Sequence, residues 1–92
     1  MTVIEIREDN HGNIGYAVDY KSAIHFLIKE GWLYDNLEYY DEEEGRDIEL
    51  YFCLGENWQE VLLDWDINKF NDYFEGHLLL EEEEVYEHRK GM

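Results

Sequence analysis

Apolar and polar residues alternate through TVIEIREDNHGNIGYAVDY, residues 2–20, with Val3, Ile4 and Ile6 on one limb and Ile14, Tyr16 and Val18 on the other. A period near two marks half-buried strands, and the polar DNHGN between them is turn chemistry. The pattern predicts a β-hairpin over 2–8 and 13–18. The period then lengthens. In YKSAIHFLIKE, the residues Ala23, Ile24, Phe26, Leu27 and Ile28 fit a helical stripe, with Asp19 or Ser22 as N-cap and Gly31 as C-terminal cap.

NLEYYDEEEGRDIELYFCL returns to alternation. Leu37 and Tyr39 lead outward, Gly45 marks the turn, and Ile48, Leu50 and Phe52 form the return limb of a second predicted hairpin. Asn57 is placed to cap a helix through WQEVLLDW, and Ile67, Phe70, Tyr73 and Phe74 continue at helical spacing. Leu and Glu in GHLLLEEEEVYEHRK favour a helix by propensity. Gly76 as a helix stop, with Leu78, Leu80 and Tyr86 on one strand face, favours a short final strand over 77–88. The expected class is α+β: a small antiparallel sheet of two β-hairpins with that extra strand, packed against two or three helices.

Composition makes this a folded domain. The 92 residues suffice for one core, they are 45% hydrophobic and 16% aromatic, and neither a proline-rich linker nor a repeat divides them. A single domain over 1–92 is expected. Cys53 stands alone inside an apolar run, so it forms no internal disulfide and reads as a buried, inert thiol. No apolar run approaches the roughly 20 residues of a membrane span, and the N-terminus lacks a signal pattern, so the expected compartment is the cytoplasm.

Charge changes the picture most. There are 24 acidic residues against seven basic ones, a formal net charge of −17. Such an excess opposes folding by self-repulsion and argues against direct nucleic-acid binding, which needs clustered Lys and Arg. The partner it suits is basic: a protein groove, a cationic surface or a metal ion. Catalytic signatures are missing. His11, His25, His77 and His88 are scattered without metal-ligand spacing, and the one serine, Ser22, belongs to a helix start. A protein that is not an enzyme and carries no cofactor is expected.

Two acidic segments remain as candidate sites. In DWDINKFNDYFE, the residues Asp64, Asp66, Asn68, Asp72 and Glu75 occupy positions 1, 3, 5, 9 and 12 of the EF-hand calcium-loop pattern. Lys69 takes the sixth place, where the loop needs glycine, and Asn71 takes the eighth. A calcium-binding module is the alternative this segment supports. The second segment is YYDEEEGRDIE, in which Asp41, Glu42, Glu43, Glu44, Asp47 and Glu49 surround Arg46. Glu38 adds to them, and Tyr39 and Tyr40 offer aromatic anchors. Alternate strand residues stand roughly 6.6 Å apart, so a hairpin here lays out a line of negative charge resembling a phosphate backbone.

FLIKEGWLYDNLEYYDEEEGRDIEL, residues 26–50, resembles the helix–Gly–Trp–acidic-loop–strand region of small anti-CRISPR proteins. The matching pieces are Gly31-Trp32, Glu38-Tyr39 and Asp41–Glu44, with altered spacing between them. The resemblance implies a phage or mobile-element inhibitor whose 41–44 segment faces Arg or Lys of an RNA-guided nuclease. GENWQEVLLDW is similar to the Gly-x-Asn helix start of barstar-type ribonuclease inhibitors, although Gln59 and Leu63 stand where that pattern has contacting acids. Both likenesses imply an acidic protein that blocks the basic site of a nucleic-acid-processing enzyme. A small acidic interaction domain, charged for solubility alone, is the remaining alternative.

Overall fold

In the computed structural model, which describes residues 2–41 and 45–84, the α+β expectation holds. Of Tyr39, Tyr40, Asp41 and Ile48 the backbone is described. Glu42, Glu43 and Glu44, and the 85–88 end of the expected final strand, lie outside the described residues. The elements run β1 (Thr2–Glu8), β2 (Gly12–Ala17), α1 (Tyr20–Lys29), β3 (Glu38–Asp41), β4 (Arg46–Glu49), α2 (Leu50–Leu54), α3 (Trp58–Leu63), α4 (Ile67–Tyr73) and β5 (Leu78–Glu84).

β1 is the centre of a three-stranded antiparallel sheet, ordered β2-β1-β5, and β3 and β4 pair as a separate two-stranded ribbon. The two hairpins therefore do not share a sheet, and among the described residues there are four helices where two or three were expected. The final segment is a strand after all: Leu80 lies opposite Ile6, and Leu78 opposite Glu8. Leu78 and Leu80 are buried with Ile4 and Ile6 on one sheet face, against Ala23, Ile24 and Leu27 of α1, Trp58 and Leu62 of α3, and Phe70 and Phe74 around α4. Leu33, Leu37 and Leu50 complete this core.

Local chemistry sets the ends of α1. Asp19 is the N-cap, its Oδ1 accepting from the Ser22 N–H at 2.8 Å. Gly31, at φ +83°, allows the Trp32 N–H to reach the Leu27 carbonyl and its own N–H to reach Ile28, which closes the helix in a Schellman turn. Phe26 lies so close to β2 that a Cβ on Gly15 would sit 2.5 Å from its ring, so glycine is what admits α1 to the sheet. The Tyr20 hydroxyl donates to the Leu62 carbonyl at 2.6 Å and ties α1 to α3. Burial, with the Asp66 charge adding, pushes that phenol far above its ordinary range.

β2 departs from simple alternation. Its register with β1 shifts between the Ile6–Gly15 and Arg7–Asn13 pairs, leaving one extra residue, Ile14, on β2. Such a bulge reverses which side chains face inward. Ile14 packs on the core, whereas Tyr16 and Val18 are exposed.

β5 is an edge strand, and α4 satisfies part of that edge. The Asn71 side chain donates to the Leu80 carbonyl and accepts from the Leu80 N–H, both at 2.8 Å, as a neighbouring strand would. Asn71→Ala removes both bonds and should lower unfolding stability by about 2 kcal/mol. Chemical denaturation checks this, and an unchanged midpoint would show that water replaces the amide without loss.

Candidate partner-binding surface

The ribbon is built on two buried leucines. The Leu50 N–H donates to the Leu37 carbonyl at 2.9 Å, and both side chains enter the core. Beyond this base, Glu38 pairs with Glu49, Tyr39 with Ile48, Tyr40 with Asp47 and Asp41 with Arg46. Opposite and alternate residues of an antiparallel pair share a face, so Glu38, Asp47 and Glu49 point to the same side. Like charges directly opposite one another are destabilising, and Glu38 and Glu49 are such a pair. Glu49 is steadied by the Asn36 Nδ2, which donates to its carboxylate at 2.6 Å.

Glu38 and Asp47 also line a cleft of about 250 Å³ between the ribbon and the end of α4, together with Tyr73, Phe74, Glu75, Gly76 and His77. Three carboxylates, from β3, β4 and the turn after α4, thus face one cleft, with a single histidine among them. Glu75 comes from the segment read as a calcium loop; its companions are elsewhere. Asp64, Asp66 and Asn68 line a different cavity of about 630 Å³ with Asp19, Lys21, Trp65 and Glu82, and Asp72 is exposed on α4.

The calcium-loop set is therefore not assembled. Asp66 caps α4 by accepting from the Lys69 N–H at 2.8 Å, so the segment is helix where a calcium loop would wrap. Asn68, Asp72 and Glu75 follow along and beyond that helix. Among the described residues no group of three or more His, Cys, Asp or Glu side chains is arranged to hold a metal ion. Asn57, the residue shared with the barstar-type helix start, precedes α3 without a side-chain capping bond.

The return limb ends earlier than alternation predicts. Leu50–Leu54 coils into α2, which keeps Leu50 in the core and turns Tyr51 and Phe52 outward, Phe52 to 75% exposure. Among the described side chains, the exposed aromatic groups of the segments flanking the ribbon are Tyr51 and Phe52, along with Tyr34, whose turn is joined to α2 by the Tyr51 N–H bonding the Asp35 carbonyl at 3.0 Å. Alternation in the sequence hides them, because it places Phe52 on the return limb of a hairpin in step with Ile48 and Leu50.

The sequence also hides a carboxyl pair. Glu5, buried on the outer face of β1, accepts from Asn13 Nδ2 at 2.8 Å and Arg7 Nη1 at 3.1 Å, and it hydrogen-bonds Glu83 of β5. Asn13, with Glu83 and Arg7 assisting, holds Glu5 below the ordinary glutamate range against the opposing effect of burial. Glu83 is raised, first by its hydrogen bond to Glu5 and then by partial desolvation and the charges of Glu5 and Glu81, with Arg7 opposing. Divergent carboxyls of this kind suit acid–base chemistry only inside a cleft, and neither residue lines the two cavities above. No protein family model, curated protein or solved structure matches this chain. No helix among the described residues is long and apolar enough to cross a membrane.

The signs of the pair set a pH dependence. Glu83 favours the fold when protonated, and that contribution is lost as pH rises through its raised value. Glu5 favours the fold when ionised, and that contribution is lost as pH falls through its lowered value. Glu83→Gln keeps a hydrogen bond to Glu5 without the charge. It should therefore raise the melting temperature at pH 7 and lose this advantage toward pH 4, as followed by differential scanning fluorimetry. An equal difference at every pH would show that the two carboxyls do not share a proton.

Proposed function

We propose that this chain is a non-enzymatic binding protein that covers the cationic, nucleic-acid-binding groove of an enzyme, with its β3–β4 ribbon standing in for phosphate. The observation that carries this reading is the register that sets Glu38, Asp47 and Glu49 on one face of a ribbon anchored in the core. Asp47 and Glu49 are alternate strand residues, roughly 6.6 Å apart, close to two phosphate intervals of about 3.4 Å each measured along the axis of a nucleic-acid helix. Charge supports it as well, since seven basic residues cannot neutralise 24 acids within the molecule. The likeness of residues 26–50 to small anti-CRISPR proteins names one class of target, an RNA-guided nuclease, and the protein is then of phage or mobile-element origin.

Arg or Lys of the target would meet Glu38, Asp47 and Glu49 on this face, and Glu75 across the cleft. The target's groove would be blocked by occupation, with no bond made or broken. Affinity would fall as salt rises, because the contact replaces counterions on both surfaces.

The test is displacement of a labelled 20-base-pair DNA duplex from purified nucleases with cationic grooves, an RNA-guided nuclease among them. The chain should compete with the duplex at 50 mM salt and progressively less at 200 mM. Glu38→Gln, Asp47→Asn and Glu49→Gln together should weaken competition at least tenfold, since one desolvated charge pair can carry about 1.5 kcal/mol or more. Glu30→Gln, Glu60→Gln and Asp72→Asn remove the same charge elsewhere and should have a much smaller effect. Equal losses from the two triple variants would mean that net charge, not the ribbon, determines binding.

A further inference from the structure

We infer that Tyr34, Tyr51 and Phe52 form a stacking platform for arginine side chains of the cationic partner, next to the acidic ribbon. This rests on the partner reading above and specifies the chemistry of the partner's side chains. The three rings are exposed to 50%, 44% and 75%. Leu50, the first residue of α2, is wholly buried, so this short helix has a fixed inner side, and Tyr51 and Phe52 stand away from it.

The platform is joined to the ribbon through the backbone. Glu49 is both the last residue of β4 and the N-cap of α2. The Tyr51 N–H bonds the Asp35 carbonyl, the Leu37 N–H bonds the Tyr34 carbonyl, and the Trp58 Nε1–H donates to the Asp35 carboxylate at 2.6 Å. The turn that carries Tyr34, the ribbon and the helix that carries Tyr51 and Phe52 are therefore fastened to one another.

Charge around the rings selects the occupant. Between Tyr34 and Glu60 the sequence has one basic residue, Arg46, and nine acidic ones, Asp35, Glu38, Asp47, Glu49 and Glu56 among them. A purely apolar partner would bring nothing to pair with those carboxylates. An arginine satisfies both features: its weakly hydrated, planar guanidinium stacks on an aromatic face and bonds carboxylates in two-pronged fashion. Lysine, a compact and strongly hydrated charge, gains less from the rings. Aromatic anchors ringed by polar groups are the usual form of a binding hot spot.

The probes are nona-arginine and nona-lysine peptides, equal in length and charge, titrated calorimetrically at 50 and 150 mM salt. The wild-type chain should bind the arginine peptide about tenfold more tightly, the effect of two or three exposed cation–π contacts. Tyr34→Ser, Tyr51→Ser and Phe52→Ser combined should erase that preference while keeping the affinity for nona-lysine, and circular dichroism would verify the fold. The ribbon variant Glu38→Gln, Asp47→Asn, Glu49→Gln should weaken both peptides and retain the arginine preference. Equal affinity of the wild-type chain for both peptides, or a preference surviving loss of the rings, overturns the platform and leaves the cationic-partner reading standing. Binding of neither peptide overturns both. A concentration-dependent dimer that Phe52→Ser dissolves would give the rings to a second copy of this chain and overturn the platform as well.

Discussion

Self-repulsion is the condition under which this chain folds. With a net charge of −17, its carboxylates must stay in water unless hydrogen bonds replace that water, and a small apolar core must hold against them. Among the described residues only Glu5 and Glu8 are buried carboxylates, and each has specific donors. Asn13 and Arg7 serve Glu5. His11 Nδ1 at 2.6 Å, helped by the N–H groups of Asn10 and His11, holds the Glu8 carboxyl below its ordinary range against the opposing effect of burial. The burial of Glu8 also organises the β1–β2 turn, where the His11 ring meets Trp32 edge-on at 5.2 Å between centroids. The core tolerates acids only where the fold supplies donors.

Much of the architecture was legible because local signals were strong. Asp19 and Gly31 bound α1 as N-cap and C-terminal turn, and Gly76 together with the alternation of Leu78 and Leu80 outweighed the helix propensity of a Leu- and Glu-rich segment. Three features were not legible, each for a physical reason. Leu50 belongs to two patterns at once: Ile48, Leu50 and Phe52 fit a strand, while Leu50, Cys53 and Leu54 fit a helical turn. Tertiary contact of Leu50 with the core decided for the turn, and Phe52 went outside. The bulge at Ile14 has no composition of its own, yet it inverts Tyr16 and Val18. The Glu5–Glu83 contact needs the pairing of β1 with β5, which no local window contains.

The candidate site was legible in part. Glu38, Asp47 and Glu49 belong to one face, as an acidic hairpin requires, although the strands are four residues long and the line of charge is correspondingly short. The calcium-loop spacing, by contrast, came from a helix capped by Asp66 and flanked by Asp64 and Glu75, where period and cap explain the same residues better than a metal does. What joins the useful pieces is proximity in the chain. The ribbon, the 34–37 turn and α2 are consecutive, hydrogen-bonded to one another and seated on Leu37 and Leu50. In the proposed reading, a partner drawn to the acidic groups would find the aromatic ones on neighbouring segments of the same base.

Amide hydrogen–deuterium exchange, with and without saturating nona-arginine, tests the localisation most directly. Residues 34–38 and 46–56 should gain protection, while Glu81–Glu84 of β5, equally acidic and exposed, should change little. Protection spread evenly over all acidic segments, or concentrated on β5, would contradict a dedicated partner surface and reduce the acidity to a general property of the chain.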